Sequence, residues 1–273
     1  MPVPVPGKDW SMSLQDIRCY VLDMDGTIYL SNRLFDFTKG FLDYLTGSGR
    51  RYCFFTNNSS RNAEFYCQKL ANMGIVIEPS QMLISNQVMI RYLKEQTDYR
   101  RLYVLGTPYL LEDFEKAGFV LDAEKPDAVI LGFDMTLNYE KLTIACTHVR
   151  DGVPFLGVNP DFNCPTDTGF LPDCGSMAKL ITASTGVVPE FFGKPSKHTL
   201  HYIIEQVGLP PSQIAIVGDR LYTDIAVGQD SELSTILVLS GETTREDLAK
   251  SDIQPDYVFE DLSALQRELD GLG

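Results

Sequence analysis

Basic charge is scarce in this sequence: 23 lysines and arginines stand against 37 aspartates and glutamates, a formal net charge of -14 over 273 residues. Such a chain is repelled by nucleic acid and by anionic lipid, which argues against both as partners. Long apolar runs are missing too, so no segment reads as a membrane span. The six cysteines (Cys19, Cys53, Cys67, Cys146, Cys164, Cys174) form no C-x-x-C pair, and several fall within apolar stretches, as reduced core cysteines do. Only three histidines occur, His148, His198 and His201, each in helical surroundings, where a structural part outweighs a catalytic one. No internal repeat and no low-complexity tract is visible. Residues 1–10 contain neither an apolar h-region nor an Arg-rich amphipathic pattern, and the expectation is a reducing cytoplasm.

With 44% hydrophobic and 22% charged residues, the composition is that of an ordinary globular protein. Its length suits one large domain or two unequal ones. Short apolar runs alternate with helical patterns, which predicts βαβ units and a parallel sheet, an α/β fold. Strands are expected at Cys19–Leu22, Tyr52–Phe55, Met82–Ile84, Ile214–Val217, Ile236–Leu239 and Tyr257–Phe259, with helices at Asn62–Met73, Lys197–Val207 and Leu262–Leu269. The middle carries its own series: strands Leu102–Leu105, Val129–Leu131 and Phe155–Val158, helices Tyr109–Lys116 and Tyr139–Val149. Residues 83–183 are therefore read as a smaller α/β module inserted into a core made of 1–82 and 184–273.

Four polar groups close strands or loops. Asp23-Met24-Asp25-Gly26-Thr27 ends the first apolar run. A D-x-D pair there offers oxygen ligands for a hard cation and two carboxylates of different role, one nucleophile and one proton carrier. Its plain alternative is an Asp-Gly turn. Thr56-Asn57-Asn58-Ser59-Ser60 combines hydroxyls, amides and backbone N–H groups at a strand-to-helix turn, suited to an anion or, equally, to capping a helix. Gly193-Lys194-Pro195-Ser196 fixes a lysine between glycine and proline, where a solvated loop charge is the alternative. Gly218-Asp219-Arg220, followed by Asp224, ends another apolar run; a capping Asp with an Arg partner would explain it alone. Taken together, the bland readings require four unrelated clusters at one edge of a sheet. Carboxylates gathered there repel one another unless a cation lies between them. Magnesium suits such oxygen ligands, and a lysine with backbone N–H groups completes an anion pocket for a small phosphorylated substrate.

These motifs, in this order, resemble the haloacid dehalogenase-like (HAD) superfamily of phosphohydrolases. Asp25-Gly-Thr-Ile-Tyr29, Thr56-Asn-Asn-Ser59, Asn159-Pro-Asp161, Gly193-Lys-Pro-Ser196 and Gly218-Asp-Arg-Leu-Tyr-Thr-Asp224 resemble its NagD or p-nitrophenylphosphatase-like subfamily, from about Ile17 to the end. That subfamily includes phosphatases of pyridoxal phosphate, phosphoglycolate and glycerol phosphate. The resemblance implies a Rossmann-like core with an inserted C2-type α/β cap. It implies Asp23 as the nucleophile that forms an aspartyl-phosphate, Asp25 as general acid and base, and Thr56, Asn57, Asn58 and Lys194 as phosphate-holding groups. Magnesium would bind Asp23, the backbone carbonyl of Asp25 and Asp219, with Asp224 in its outer shell.

In relatives the stretch corresponding to Asn159, Asp161, Phe162 and Cys164 dips toward the active site, so these cap residues are substrate candidates. Some relatives have a histidine in place of Cys164, which argues against carrying their substrate preference over. Two departures from the pattern, Gln229-Asp230-Ser231-Glu232 after Gly228 and Asp173 before Gly175-Ser176, touch neither metal nor phosphate positions. The expected substrate is a small phosphorylated metabolite, such as a sugar phosphate, a nucleotide or p-nitrophenyl phosphate. A monomer and a homo-oligomer built through the cap are both compatible with the sequence. A phosphoacceptor signalling module is the rival reading, but it lacks a second carboxylate two residues after the acceptor. A non-catalytic phosphate-binding protein of the same fold is a further rival, disfavoured by the complete set of core groups, and dehalogenase chemistry has no need of Asp25 or magnesium.

Overall fold

The computed structural model describes residues 13–166 and 168–271. Residues 1–10, which bear on targeting, lie outside the described residues. The chain divides into two compact units, Met1–Thr56 with Cys67–Leu83 and Leu200–Gly273, and Asn57–Tyr66 with Ile84–Thr199. The stretch 84–183 falls in the second unit, which also takes in 57–66 and continues to Thr199.

The first strand among the described residues is β1 (Cys19–Leu22), four apolar residues buried without alternation, as a strand covered on both faces must be. A small antiparallel pair, β2 (Tyr29–Leu30) and β3 (Arg33–Leu34), follows. Helix α1 (Thr38–Gly47) buries Phe41, Leu42 and Leu45 on one face, and its Thr38 hydroxyl donates to the Ile28 carbonyl at 2.6 Å. Next come β4 (Arg51–Thr56), α2 (Ala63–Asn72) and β5 (Met82–Ile84).

The second unit continues through α3 (Ser85–Gln96), β6 (Arg101–Leu105), α4 (Pro108–Lys116), β7 (Val120–Leu121), β8 (Ala128–Leu131), α5 (Tyr139–Arg150) and β9 (Phe155–Gly157). An exposed antiparallel hairpin, β10 (Asn163–Thr166) with β11 (Gly169–Pro172), precedes α6 (Cys174–Thr185) and β12 (Glu190–Phe191). Its main sheet runs β12-β9-β8-β6-β7, all parallel. The core beside it is built from Val129, Leu131, Cys146, Val149, Phe155 and Ile181 among others.

Helix α7 (Lys197–Val207) leads back to the first sheet through β13 (Ile214–Gly218), β14 (Ser234–Val238), α8 (Arg245–Lys250), β15 (Tyr257–Phe259) and α9 (Leu262–Gly271). Leu262, Leu265 and Leu269 of α9 form its buried stripe, and α9 packs against α1. The six-stranded order is β15-β14-β13-β1-β4-β5. From β1 the chain winds outward to β4 and β5, then returns on the other side of β1 at β13. The strand order therefore reverses beside β1, and open α/β sheets bind ligands at the carboxyl ends of strands flanking such a point.

All six cysteines are free thiols. Among the described residues no helix is long and apolar enough to cross a membrane.

Candidate active site

In the first unit the carboxyl ends of β1 and β13 gather acids. The strands are parallel neighbours with Leu22 opposite Val217. The Asp23 backbone N–H donates to the Val217 carbonyl at 2.8 Å, so the ladder extends one residue past the strand and fixes Asp23 beside Gly218-Asp219. A short helical turn, Leu221–Ile225, brings back Asp224, whose Oδ2 accepts from the Arg220 backbone N–H at 3.1 Å. One carboxylate oxygen each from Asp23, Asp219 and Asp224 lies within 4.8 Å of the other two. Asp219 and Asp224 are buried and Asp23 is half-buried.

Crowding of this kind carries an electrostatic cost. Burial, and then the neighbouring Asp224, pushes the Asp219 carboxyl up to about 7, against the pull of Arg220 and a hydrogen bond from the Glu242 backbone N–H at 2.7 Å. The backbone leaves room for this carboxylate. A Cβ at Gly26, whose φ is +89°, would stand 2.3 Å from Asp219 Oδ2, and one at Gly241 would stand 2.0 Å from it. Converging carboxylates in a cradle that only glycines permit fit a hard divalent cation, which removes the repulsion and prefers oxygen ligands.

Asp25 has a different environment. Its Oδ2 accepts from the Tyr29 hydroxyl at 3.4 Å, and Lys69 Nζ lies 3.9 Å from the centroid of the Tyr29 ring. Burial raises the Asp25 carboxyl above the ordinary range, while Lys69, Arg220 and the Tyr29 hydroxyl oppose the shift. A carboxyl that favours its proton, two residues from one in an acid cluster, is what separate acid and nucleophile roles require. Thr56 is buried at the end of β4, the other neighbour of β1, where Leu22 stands opposite Phe54.

The remaining candidates lie in the second unit, in one buried polar network. Asn57 Nδ2 donates to the Lys194 carbonyl at 2.9 Å and to Asp161 Oδ2 at 2.8 Å, while Asn57 Oδ1 accepts from the Lys194 backbone N–H at 2.8 Å. The Asn57 amide thus pairs with both polar groups of one peptide residue, as a strand would. Gly193 permits the approach, since a Cβ there would meet Asn57 Oδ1 at 2.7 Å. Asn159 is fully buried, donating to Asp161 Oδ2 at 3.0 Å and to Asp173 Oδ1 at 3.1 Å, and accepting from the Ser59 hydroxyl at 2.7 Å. Asn58 turns back on its own loop: its Oδ1 accepts from the Ser60 N–H and hydroxyl at 3.0 and 2.7 Å, and its Nδ2 meets Cys164 Sγ at 3.5 Å. Lys194 is buried, whereas Phe162 is 52% exposed and Cys164 half-buried.

The structure therefore brings Asp23, Asp219 and Asp224 together, sets Asp25 and Thr56 on the same sheet edge, and joins Asn57, Asn58, Lys194, Asn159, Asp161 and Cys164 in one neighbourhood. Sequence reasoning missed three participants. Asp173, noted only as a departure, caps α6 by accepting from the Cys174 N–H at 2.5 Å and also holds Asn159. Tyr29 and Lys69 shape the surroundings of Asp25. Tyr29 ends the Asp25-Gly-Thr-Ile-Tyr29 motif, so its proximity was open to inference; Lys69 sits on α2 with no local signal.

A family model for haloacid dehalogenase-like hydrolases matches residues 20–120, and a HAD-hydrolase-like model matches residues 191–265. An acid sugar phosphatase of Staphylococcus aureus is 36% identical over 94% of this chain and 100% of its own. The crystal structure of a 4-nitrophenylphosphatase from Thermotoga maritima superposes with a TM-score of 0.90 at 42% identity, covering 94% of this chain and 98% of that one. NagD from Escherichia coli K-12 gives 0.84 at 28% identity, with 90% and 97% covered.

Proposed function

Because the chain belongs to the haloacid dehalogenase-like hydrolases, among their NagD-like phosphatases, we propose that it hydrolyses small phosphomonoesters through a phosphoryl group carried on Asp23. The observation that carries this reading is the convergence of Asp23, Asp219 and Asp224 within 4.8 Å at the strand-order reversal, with a proton-favouring Asp25 two residues away.

In the proposed reaction an Asp23 oxygen attacks phosphorus and the bond from phosphorus to the ester oxygen breaks. Asp25 gives its proton to the departing alkoxide, so no strongly basic leaving group is released. The ionised Asp25 then takes a proton from water as that water attacks the aspartyl-phosphate, freeing inorganic phosphate and regenerating both acids. Asp25 thereby distinguishes a hydrolase from a lasting phosphoacceptor. Thr56 and the backbone N–H groups of Asn57 and Asn58 hold the phosphoryl oxygens, and the Lys194 ammonium offsets their charge. The Asn57 side chain, committed to Lys194, acts by positioning that lysine. Magnesium would be held by Asp23, Asp219 and the Asp25 carbonyl, with Asp224 behind them, and would supply charge neutralisation between carboxylate and phosphate; the gathering of the three acids supports this.

Sugar phosphates and p-nitrophenyl phosphate head the proposed substrates, since an acid sugar phosphatase and a 4-nitrophenylphosphatase each match over 94% of this chain. Residues 83–183 are proposed as the cap, with Phe162 and Cys164 facing substrate while Asn159 and Asp161 act by supporting Asn57. Six free thiols support a reducing compartment such as the cytoplasm. The test is phosphate release from a panel of sugar phosphates, nucleotides and p-nitrophenyl phosphate, with magnesium and after chelation. Turnover of at least one ester that stops on chelation is expected; no release from any of them with magnesium present overturns the reading.

A further inference from the structure

The amino-terminal edge of the core sheet, at the opposite ends of the strands that carry Asp23 and Thr56, holds an open cleft of about 500 Å³. That volume lies in the range of small-molecule sites, roughly 300–1,000 Å³. Cys19 and Arg51, paired across β1 and β4, line it, together with Arg50, Gln81 and Val207. At about 3.3 Å per residue, Cys19 lies roughly 13 Å along β1 from Asp23, so the cleft is separate from the acid cluster.

Its charge is opposite to that of the molecule. Two guanidinium groups, Arg50 and Arg51, meet only one lining carboxylate, Glu78, in a chain whose net charge is -14. Arg51 spends one donor on the Val207 carbonyl, Nη2 to O at 2.8 Å. Arg50 keeps its Nε–H buried with no hydrogen-bond partner, and a buried unmatched donor on a charged group is costly. Beside these stand apolar and weakly polar walls, from Cys19, Cys53, Leu83 and Val207. A guanidinium fork recognises carboxylate and phosphate oxygens alike.

We propose that this cleft is a second ligand site, which binds a small organic anion: a carboxylate or phosphate group on the arginines and an apolar body against the strand ends. The assignment is independent of the phosphatase reading, because it uses none of the catalytic side chains.

The test follows backbone amide signals of isotope-labelled full-length protein by NMR while benzoate, phenylphosphonate or neutral benzamide is added. Benzoate separates a carboxylate ligand from a phosphate-type one, and benzamide removes the charge while keeping the ring. At least one anion should move the signals of Arg51, Tyr52, Gln81 and Val207 saturably, with a Kd below about 10 mM, and benzamide should bind at least about tenfold more weakly. Arg50→Gln should weaken the anion by about tenfold or more while hydrolysis of p-nitrophenyl phosphate stays at the parental rate. Ser80→Trp, a surface change that fills the cleft, should abolish the shifts and covers the case in which Arg50→Gln unfolds. Saturable shifts confined to residues 23–27 and 218–224, equal affinity for benzamide, or undiminished binding in both variants would overturn the proposal.

Discussion

The acid cluster of the first unit and the amide network of the second solve opposite physical problems. Around Asp219 like charges are pressed together until its carboxyl titrates near neutrality, with Asp224 a principal cause after burial. Around Asn57 each side-chain donor and acceptor meets a partner at 2.8–2.9 Å, and the lysine it holds is thereby fixed at its backbone. One region gives up stability in the absence of a cation; the other gains rigidity from the chain itself. Sites that bind a metal are commonly under-neutralised without it, whereas groups that fix another residue in place, as Asn57 fixes Lys194, must be fully satisfied. The contrast predicts that substitutions in the two regions differ in sign as well as in size.

The largest effects concern rate. Asp23→Asn removes the proposed nucleophile and should lower kcat by about 10⁴-fold or more, with substrate still bound. Asp25→Asn keeps Asp23 and loses the proton transfer proposed for Asp25, so kcat should fall about 10²–10⁴-fold. Steady-state assays with p-nitrophenyl phosphate should show the Asp25 variant recovering more activity than it does with an alkyl phosphate, since nitrophenolate leaves without a proton. Equal loss on both esters would mean that Asp25 is not the acid.

Stability measurements address the comparison directly. Asn57→Ala leaves the Lys194 N–H and carbonyl and the Asp161 carboxylate without the bonds that Asn57 supplies, a loss of about 2–4 kcal/mol in urea unfolding. Asp219→Asn acts the other way. Two carboxylates a few ångströms apart repel by about 3 kcal/mol at an effective dielectric of about 20, so the variant should unfold later than the parent in chelator, by on the order of 1–3 kcal/mol. Added magnesium should erase or reverse that gain by stabilising only the parent. If Asp219→Asn is destabilising without metal, the cluster is a satisfied hydrogen-bond site and the contrast fails.

How much of this was legible beforehand depends on whether the signal was local. β1, β5 and β15 form where short apolar runs predict them, and α7 spans Lys197–Val207 as its periodicity requires. Helices α1, α3 and α6 were not among those expected: α3 opens on Ser-Asn-Gln and α6 on Cys-Gly-Ser, residues that also suit turns, and tertiary packing of a few apolar positions completes them. The hairpin of β10 and β11 has almost no buried face, so no alternation announces it. Within the site, residue types at the strand ends were readable because Asp, Thr and Lys in such places imply chemistry. The Asn57 pairing was not, because it joins residues 137 positions apart and depends on Gly193 having no side chain.

The smallest effect separates metal-dependent strain from ordinary strain. Asp113, on α4 of the second unit, accepts from Asn86 Nδ2 at 2.9 Å, yet burial, with some help from Glu64, pushes its carboxyl up to about 6. The folded state thus holds the Asp113 proton more tightly than the unfolded state, whose carboxyl titrates near 4. A carboxyl raised in this way favours folding at low pH, and that contribution is lost as pH climbs from about 4 through about 6. Asp113→Asn keeps an acceptor for Asn86 and removes the charge, so it should raise the thermal midpoint by a few degrees at pH 8, on the order of 1 kcal/mol, and leave it unchanged near pH 4. Unlike the gain from Asp219→Asn, this one should be indifferent to magnesium. Melting curves of both variants at pH 8, with and without the ion, would therefore assign each buried acid to its kind: strain that a cation relieves, or strain that the fold simply tolerates.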